Sequence, residues 1–464
     1  MDTLTAEQRR AFNALREGKN VFLTGSGGTG KSYLINQIYS ELPHLKPGIN
    51  IRVTALTGCA AIIIGTYAKT IHSWAGIALG KGTVAELVTR IRKNARAKKN
   101  WMSTNLLVID EISMMSPELL EKLDQIGRIL RRTPGKSFGG IQLLLCGDFL
   151  QLPPIMKGID MKFAFESTIW NDVIDISIEL THIQRQQDDA FRRVLCEARK
   201  GQLSEDSVKI LKTRMNLDWK GLRIRPTLLF PRRAEVDIIN DVNLKALEGV
   251  RYTYNAGIDD KAVIGFNSKS EDFIQFLAYF DKDASYLTEL VLGMGAQVML
   301  IKNMDCERKL VNGSRGVVVD FMNDVAHTPI VEFMNGMRIP IEIATWEMDG
   351  YKGICRTQIP LRLAYAITTH KSQGANLDCA LIDIGNNVFE YGQAYVALSR
   401  VRSLEGLYIY DFDPDAIVAH PRVLAFYTAL QNSNILWKIV DPIVDPVDPV
   451  VDPVIDIDCS ENPI

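Results

Sequence analysis

The sequence predicts an α/β protein built from two parallel-sheet lobes, with a small antiparallel β-domain inserted into the second. Three observations carry that expectation. Short apolar strand runs alternate with helical segments in both halves of the chain, the pattern of a parallel sheet with crossover helices. The runs of the first half end in polar signatures, and open sheets of this kind gather ligands at the carboxyl ends of their strands. From Val298 to Pro360 the β-rich runs Gln297–Ile301, Gly316–Phe321, Ile330–Phe333 and Arg338–Ile343 are separated by turn residues, as in a small antiparallel barrel.

A chain of 464 residues exceeds one ordinary core and asks for two to four domains. The seven cysteines, Cys59, Cys146, Cys196, Cys306, Cys355, Cys379 and Cys459, form no CxxC pair, which excludes a zinc ribbon and argues for a reducing compartment. No apolar stretch approaches the roughly 20 residues needed to span a bilayer. The start, Met1-Asp2-Thr3-Leu4, lacks the regions of a signal peptide. An intracellular protein with no membrane partner is therefore expected. The net charge of -2 hides an asymmetry: residues 441–464 hold seven acidic and no basic residues, which leaves 53 basic against 48 acidic, or +5, in residues 1–440. A mildly basic body with a local groove suffices for phosphate binding.

Taken in order, residues 4–42 read helix, strand, glycine-rich turn, helix, with Asn20–Thr24 as the strand. Further buried runs are Ile51–Leu56, Leu106–Ile109 and Gln142–Cys146. The basic stretch Thr89–Trp101 reads first as a solvated helix face. A second strand-helix series starts near Leu180 and resumes at Leu361. The expected division is a first lobe over 1–180 with a small insertion at about 72–103, a second lobe over 181–293 and 361–438, and the β-domain over 294–360. The Asp-Pro-Val repeats of 439–464 exclude helix or central strand and predict an extended acidic tail.

Gly25-Ser26-Gly27-Gly28-Thr29-Gly30-Lys31-Ser32 satisfies the phosphate-loop pattern G-x-x-x-x-G-K-S after a strand and at the start of a helix. Backbone N–H groups would wrap phosphates, Lys31 would reach the β/γ-phosphates and Ser32 would ligate Mg²⁺. Asp110-Glu111, at the end of a buried run, suit a Mg²⁺ contact and activation of a water respectively. Gln151, in Gly147–Pro154, suits sensing of a γ-phosphate. Arg185 and Arg400 lie in the second half, where an arginine reaching across a cleft would stabilise transition-state charge. ATP and Mg²⁺ are thus the expected ligand and cofactor.

The phosphate loop, Asp110–Met114, Phe138–Gln142, Gly147–Pro154, Leu180–Gln186, Gly295–Leu300, His370-Lys371-Ser372-Gln373-Gly374 and Tyr395–Arg402 occur in the order typical of one family. Over residues 4–430 the chain resembles the Pif-one DNA helicases, subclass B of helicase superfamily one. The resemblance implies two RecA-like lobes, an SH3-like inserted β-barrel, and ATP-driven 5′-to-3′ movement on single-stranded DNA and at junctions with duplex. It implies a fork wedge on the first lobe, and that Gln8 reads adenine while Gly374 lies beside the nucleotide. For DNA it points to Thr57, Gly58, Ala60, His72 and Trp74 in the first lobe and to Thr368, His370, Lys371 and Ser372 in the second. Core packing competes with base stacking for His72, Trp74 and Phe149. Gly65–Trp74 departs from the family's G-x-T-x-H-x-F pattern by its length and by ending in Trp, so the contacts there stay open. The family also implies genome-maintenance work on forks, G-quadruplexes or RNA–DNA hybrids, in nuclei, mitochondria, bacteria or virus-infected cells, as a monomer that can pair on DNA. A protein-displacing translocase and an ATP-gated DNA-binding scaffold are the rival readings.

Overall fold

The computed structural model describes residues 3–432 except 66, 79, 155–160, 220, 223, 261–262, 264–265, 283, 285, 306–307, 309, 349–350 and 352, and except the side chains of 59, 62, 233, 279, 282 and 371. The acidic repeat segment lies outside the described residues. Strands β1 (Val21–Gly25), β2 (Ile51–Ala55), β3 (Lys69–Thr70), β4 (Leu106–Asp110), β5 (Gln142–Cys146) and β6 (Ile176–Leu180) form one sheet in the order β3-β2-β4-β5-β1-β6. Every pairing in it is parallel. Both faces are covered, so β1 and β4 are buried at every position and read as continuous apolar runs. With β1 beside β5 and β5 beside β4, the phosphate loop, Asp110-Glu111 and the Gly147–Gln151 turn all emerge on one rim. Pairing of Gly25 with Leu180 brings the chain after β6 to that rim as well.

A second parallel sheet, β18-β7-β19-β20, is built from β7 (Thr227–Phe230), β18 (Ala366–Thr368), β19 (Ala380–Ile384) and β20 (Leu407–Phe412). Between β7 and β18 all described strand pairing is antiparallel. β8 (Arg251–Asn255) pairs with β10 (Glu289–Gly293), and β9 (Gly257–Asp259) joins β15 (Ala344–Glu347) and β16 (Cys355–Gln358). A five-stranded sheet runs β14-β13-β12-β11-β17, from β11 (Gln297–Leu300), β12 (Arg315–Phe321), β13 (Pro329–Phe333), β14 (Arg338–Pro340) and β17 (Leu361–Leu363). This corrects the expected 294–360 boundary. The antiparallel region extends from 251 to 363, because Leu361 pairs with Leu300 and Arg251 with Gly293. Among the described residues β14 and β17 remain edges of that sheet, so strand pairing does not close it into a barrel.

The helix Pro421–Asn432 corrects the other expected boundary. It follows the second sheet in sequence, but Val423, Phe426 and Tyr427 are buried in the first lobe's core with Phe22, Phe149 and Trp170. Phe426 stacks on Phe165 at 4.2 Å and meets Phe149 edge-on at 5.7 Å, geometries that add to the apolar area they bury. The 72–103 segment also belongs to this core. Its helices Val84–Lys93 and Ala95–Ser103 bury Leu87, Val88, Ile91, Ala97 and Trp101 and leave Arg90, Arg92, Lys93, Arg96, Lys98 and Lys99 exposed.

Phe426→Ala should open a cavity behind the Gly147–Gln151 turn and cost about 3–5 kcal/mol, read by urea unfolding. A loss under about 1 kcal/mol, the size of an ordinary surface change, would show that this helix is not part of the first lobe's core.

Candidate nucleotide site at the seam of the two lobes

The phosphate loop leaves β1 and wraps the start of the helix Lys31–Leu45, whose first residue follows Gly30 in the left-handed region at φ 90°. A cavity of about 500 Å³ opens there. Gly27, Gly28, Gly30, Lys31 and Ser32 line it from one side, Asp110, Glu111 and Gln151 from the strand ends, and Arg185, Gly374, Asn376, Arg400 and Arg402 from across the seam. Lys31 Nζ donates to the carbonyls of Gly25 at 2.6 Å and Ser26 at 3.1 Å, so its charge rests on the loop's own oxygens. Gly28 has a specific reason to be glycine: at φ 86° a Cβ would lie 2.6 Å from Arg185 Cβ. The loop is tied to the segment after β6 where the Gln184 N–H donates to the Gly28 carbonyl at 2.8 Å.

Asp110 is buried and Glu111 half-buried beside it. Burial pushes the Asp110 carboxyl up, against the pull of a Glu111 backbone hydrogen bond and of Lys31. Burial and then the Asp110 charge raise Glu111 to about 7. Glu111 is held in the left-handed region at φ 56°, and its Oε2 accepts from Gln373 Nε2 at 2.9 Å across the seam. Two neighbouring carboxyls that resist ionisation in the free protein suit a site completed by a cation or by a group that takes a proton.

On the opposite wall, Arg185 donates to the Ser399 carbonyl at 2.9 Å, while Arg400 donates to the Val396 carbonyl at 2.9 Å and Ser399 Oγ at 2.7 Å. Burial lowers both guanidinium groups, Arg185 to about 9 with the Arg400 charge as a second cause. Tyr395, from the same helix Gln393–Arg400, accepts from the Gly27 N–H at 2.8 Å. Gly392 starts that helix at φ 73°, and a Cβ there would stand 2.6 Å from the Leu150 carbonyl, so the helix start is pressed against the Gln151 turn.

Several expected residues lie elsewhere. Gln8 is buried and does not line the cavity: its side chain caps the helix Ala6–Arg16 by accepting from Thr5 N at 3.0 Å, and reaches the Gly30 carbonyl at 3.4 Å. Its amide thereby supports the loop as well. Ala60 lines the nucleotide cavity, its helix Gly58–Ile64 turning that face towards the seam. Trp74 is 2% exposed and packs on Trp101 at 4.7 Å, which places its ring in the core, away from bases. Phe149, 1% exposed within the aromatic core, is settled as packing. Thr368 is buried, and Ser372 is fully buried with its hydroxyl donating to the Thr369 carbonyl at 2.7 Å, so Ser372 offers no hydroxyl to a phosphate. Thr57 caps Gly58–Ile64 by accepting from Ala60 N. His72 is half-buried, and His370 pairs with Glu390 at 3.0 Å. The Lys371 side chain lies outside the described residues. Gln373, Tyr395 and Asn376 were missed as site residues. The first two sit inside motifs already singled out, next to residues chosen for charge.

Among the described residues no helix is long and apolar enough to cross a membrane. The family model "PIF1-like helicase" matches residues 3–208, and "DNA helicase Pif1, 2B domain" matches 286–321. The chain is 40% identical over 438 residues to the ATP-dependent DNA helicase PIF1 of Xenopus laevis, covering 93% of this chain but 65% of that protein. It superposes on the crystal structure of Pif1 helicase from Candida albicans with a TM-score of 0.76 at 37% identity, covering 93% of this chain and all of that one. It also matches a Bacteroides Pif1 helicase in complex with ADP-AlF3 and single-stranded DNA, at a TM-score of 0.64 and 28% identity, over 94% and 99% of the two chains. The phosphate loop, the carboxylate pair at the end of β4 and the arginines facing them across the seam are thus features of a chain that belongs to the PIF1-like helicase family.

Proposed function

We propose that this chain is an ATP-dependent DNA helicase that moves 5′-to-3′ along single-stranded DNA and unwinds duplex at junctions and forks. The observation that carries the reading is the seam itself: a phosphate loop and the Asp110-Glu111 carboxyl pair on one lobe, faced by Arg185 and Arg400 from beyond it. Its relatives' descriptions as ATP-dependent DNA helicases, and the Bacteroides complex with single-stranded DNA, support the substrate class.

In this reading Gly25, Gly27, Gly28, Thr29 and Gly30 shape the phosphate cradle, and Lys31 leaves its carbonyls for the β/γ-phosphates. Ser32 and Asp110 are the residues that would hold Mg²⁺, and they suit it: Asp110 is a carboxyl oxygen donor at the cavity wall beside the Ser32 hydroxyl, and this ion takes one or two protein ligands beside phosphate oxygens. When bound it would neutralise charge on the phosphates. Glu111 takes the proton of the attacking water, Gln151 contacts the γ-phosphate, and Arg185 and Arg400 stabilise charge on the transferred group. Gly374, close against Ile63, keeps the far wall narrow. Loss of the γ-phosphate removes the bridge between the walls and lets the lobes part, a hinge motion. Thr57, Gly58, His72, His370 and Lys371 are the strand contacts we retain, with the 72–103 segment as the fork wedge and the antiparallel region as a cover. A base-pair step costs on the order of 1.4 kcal/mol, well within one hydrolysis cycle. Work at G-quadruplexes or RNA–DNA hybrids, action as a monomer or a pair on DNA, and a place in repair, recombination, replication or telomere maintenance go with this reading.

Strand displacement on substrates with opposite single-stranded tails tests it: unwinding should need a 5′ tail. Lys31→Ala should abolish DNA-stimulated ATP hydrolysis. Arg400→Ala should lower turnover by about 10³-fold or more while single-strand affinity in filter binding stays near that of the parent. Hydrolysis without strand separation would favour the protein-displacing translocase, and absence of DNA-stimulated hydrolysis the scaffold. With Glu111 raised to about 7 and required as its anion, kcat/KM in excess Mg²⁺ should climb as pH rises through that value and level off above it. A flat profile from about pH 6 to about pH 8 would show that Glu111 is already ionised below that range in the free protein.

A further inference from the structure

Behind the phosphate loop lies a buried polar cluster with no part in the chemistry above. Tyr427, from the helix that returns to the first lobe, places its hydroxyl 2.6 Å from Thr24 Oγ1, 3.1 Å from the Phe149 backbone nitrogen and 3.1 Å from Asp148 Oδ1. The donors can be assigned. The Phe149 N–H can only donate and the Asp148 carboxylate only accept, so the single Tyr427 proton goes to Asp148 and Thr24 donates to Tyr427. Every hydrogen-bonding position of the hydroxyl is thereby used, inside a core that water does not reach.

Asp148 carries the arrangement to the cavity. Its carboxylate receives Arg199 in a two-pronged pair at 2.9 and 3.0 Å and accepts from Leu150 N at 3.2 Å, while its carbonyl accepts from Gln151 N at 3.0 Å. Burial alone would raise this carboxyl, and the Arg199 guanidinium holds it below its ordinary range instead. Arg199 also reaches Glu179 at 3.0 Å and lies over the Tyr427 ring at 5.0 Å. Thr24 directly precedes Gly25, the first glycine of the phosphate loop, and Gln151 lines the cavity. One hydroxyl therefore joins the root of the phosphate loop to the turn that presents Gln151.

We propose that Tyr427 is a positioning residue for the nucleotide site, fixing through Thr24 and Asp148 the distance between the phosphate loop and Gln151, and so the discrimination of a nucleoside triphosphate from a diphosphate. It rests on the proposed role of Gln151 at the γ-phosphate. Tyr427→Phe keeps the ring in the core but leaves the Phe149 N–H buried without an acceptor, which the turn can relieve only by shifting.

The test uses the full chain as Tyr427→Phe, Thr24→Val and the double variant, with Thr428→Val, an exposed position on the same helix, as control. The readouts are the affinity ratio for a non-hydrolysable ATP analogue over ADP, kcat and KM for DNA-stimulated hydrolysis, and Tm. Tyr427→Phe should lower the affinity ratio and kcat by about three- to tenfold each. ADP affinity should be unchanged, Thr24→Val should act in the same direction, and the double variant should add little beyond either single change. The control should match the parent. An unchanged affinity ratio in Tyr427→Phe, or a fall in Tm alone, overturns the inference, as do independent, additive effects of the two substitutions. The ratio is read whether or not the parent turns over ATP, so a parent without DNA-stimulated hydrolysis counts against the helicase reading and not against this one.

Discussion

The arrangement depends on charges kept from water at the seam between two sheets. Asp110 and Glu111 are pushed towards their neutral forms and Arg185 and Arg400 are lowered, each with burial as the first cause. Opposite charges this close would normally pair, but among the described residues neither Arg185 nor Arg400 forms a salt bridge with Asp110 or Glu111, and Arg400 acts on Glu111 only through space. The arginines spend their donors on Ser399 and Val396, and Glu111 accepts from neutral Gln373. A desolvated site with unspent charge of both signs is less stable empty than filled by a ligand that carries both a polyanion and a cation.

A contrast lies a few ångströms behind. Asp148 and Arg199 are as deeply buried as the seam residues, yet they are paired with each other and with Tyr427 and Glu179. Removing one partner of such a pair is costly, on the order of 3–5 kcal/mol. The cluster behaves as scaffold, and the seam as the part free to respond to a ligand. Proteins that change state need both kinds of polar interior, one with satisfied bonds to hold geometry and one with unsatisfied charge to bias it.

The path of the chain couples the two. After the second sheet it returns to the first lobe through Pro421–Asn432, whose Phe426 and Tyr427 enter the aromatic core around Phe149. The lobes are therefore joined by two crossings: the segment after β6 that bears Arg185, and the segment between β20 and this helix. A double connection narrows the motions open to the seam, since a hinge with two strands permits rotation about the line between them more readily than free separation.

What the sequence determined by itself is local. Gly25–Ser32, Asp110-Glu111 and the runs Val21–Gly25, Leu106–Asp110 and Gln142–Cys146 are legible because a phosphate loop needs glycines and a lysine at fixed spacing, and a buried strand needs an uninterrupted apolar run. The order of the motifs pointed to the seam, and Arg185 and Arg400 do line it. Tertiary structure decided whatever depends on burial of a polar or aromatic group. Nothing within reach of Trp74 in sequence says that Trp101 covers it, that Ser372 spends its hydroxyl on Thr369, or that Gln8 faces Gly30. The limits of the antiparallel region, 251–363, were set by cross-strand partners 42 and 61 residues apart, Arg251 with Gly293 and Leu300 with Leu361. The contact between Tyr427 and Thr24 spans 403 positions. A side chain's partner across such a distance is fixed by how sheets and helices pack, and the residue's own neighbours carry no trace of it.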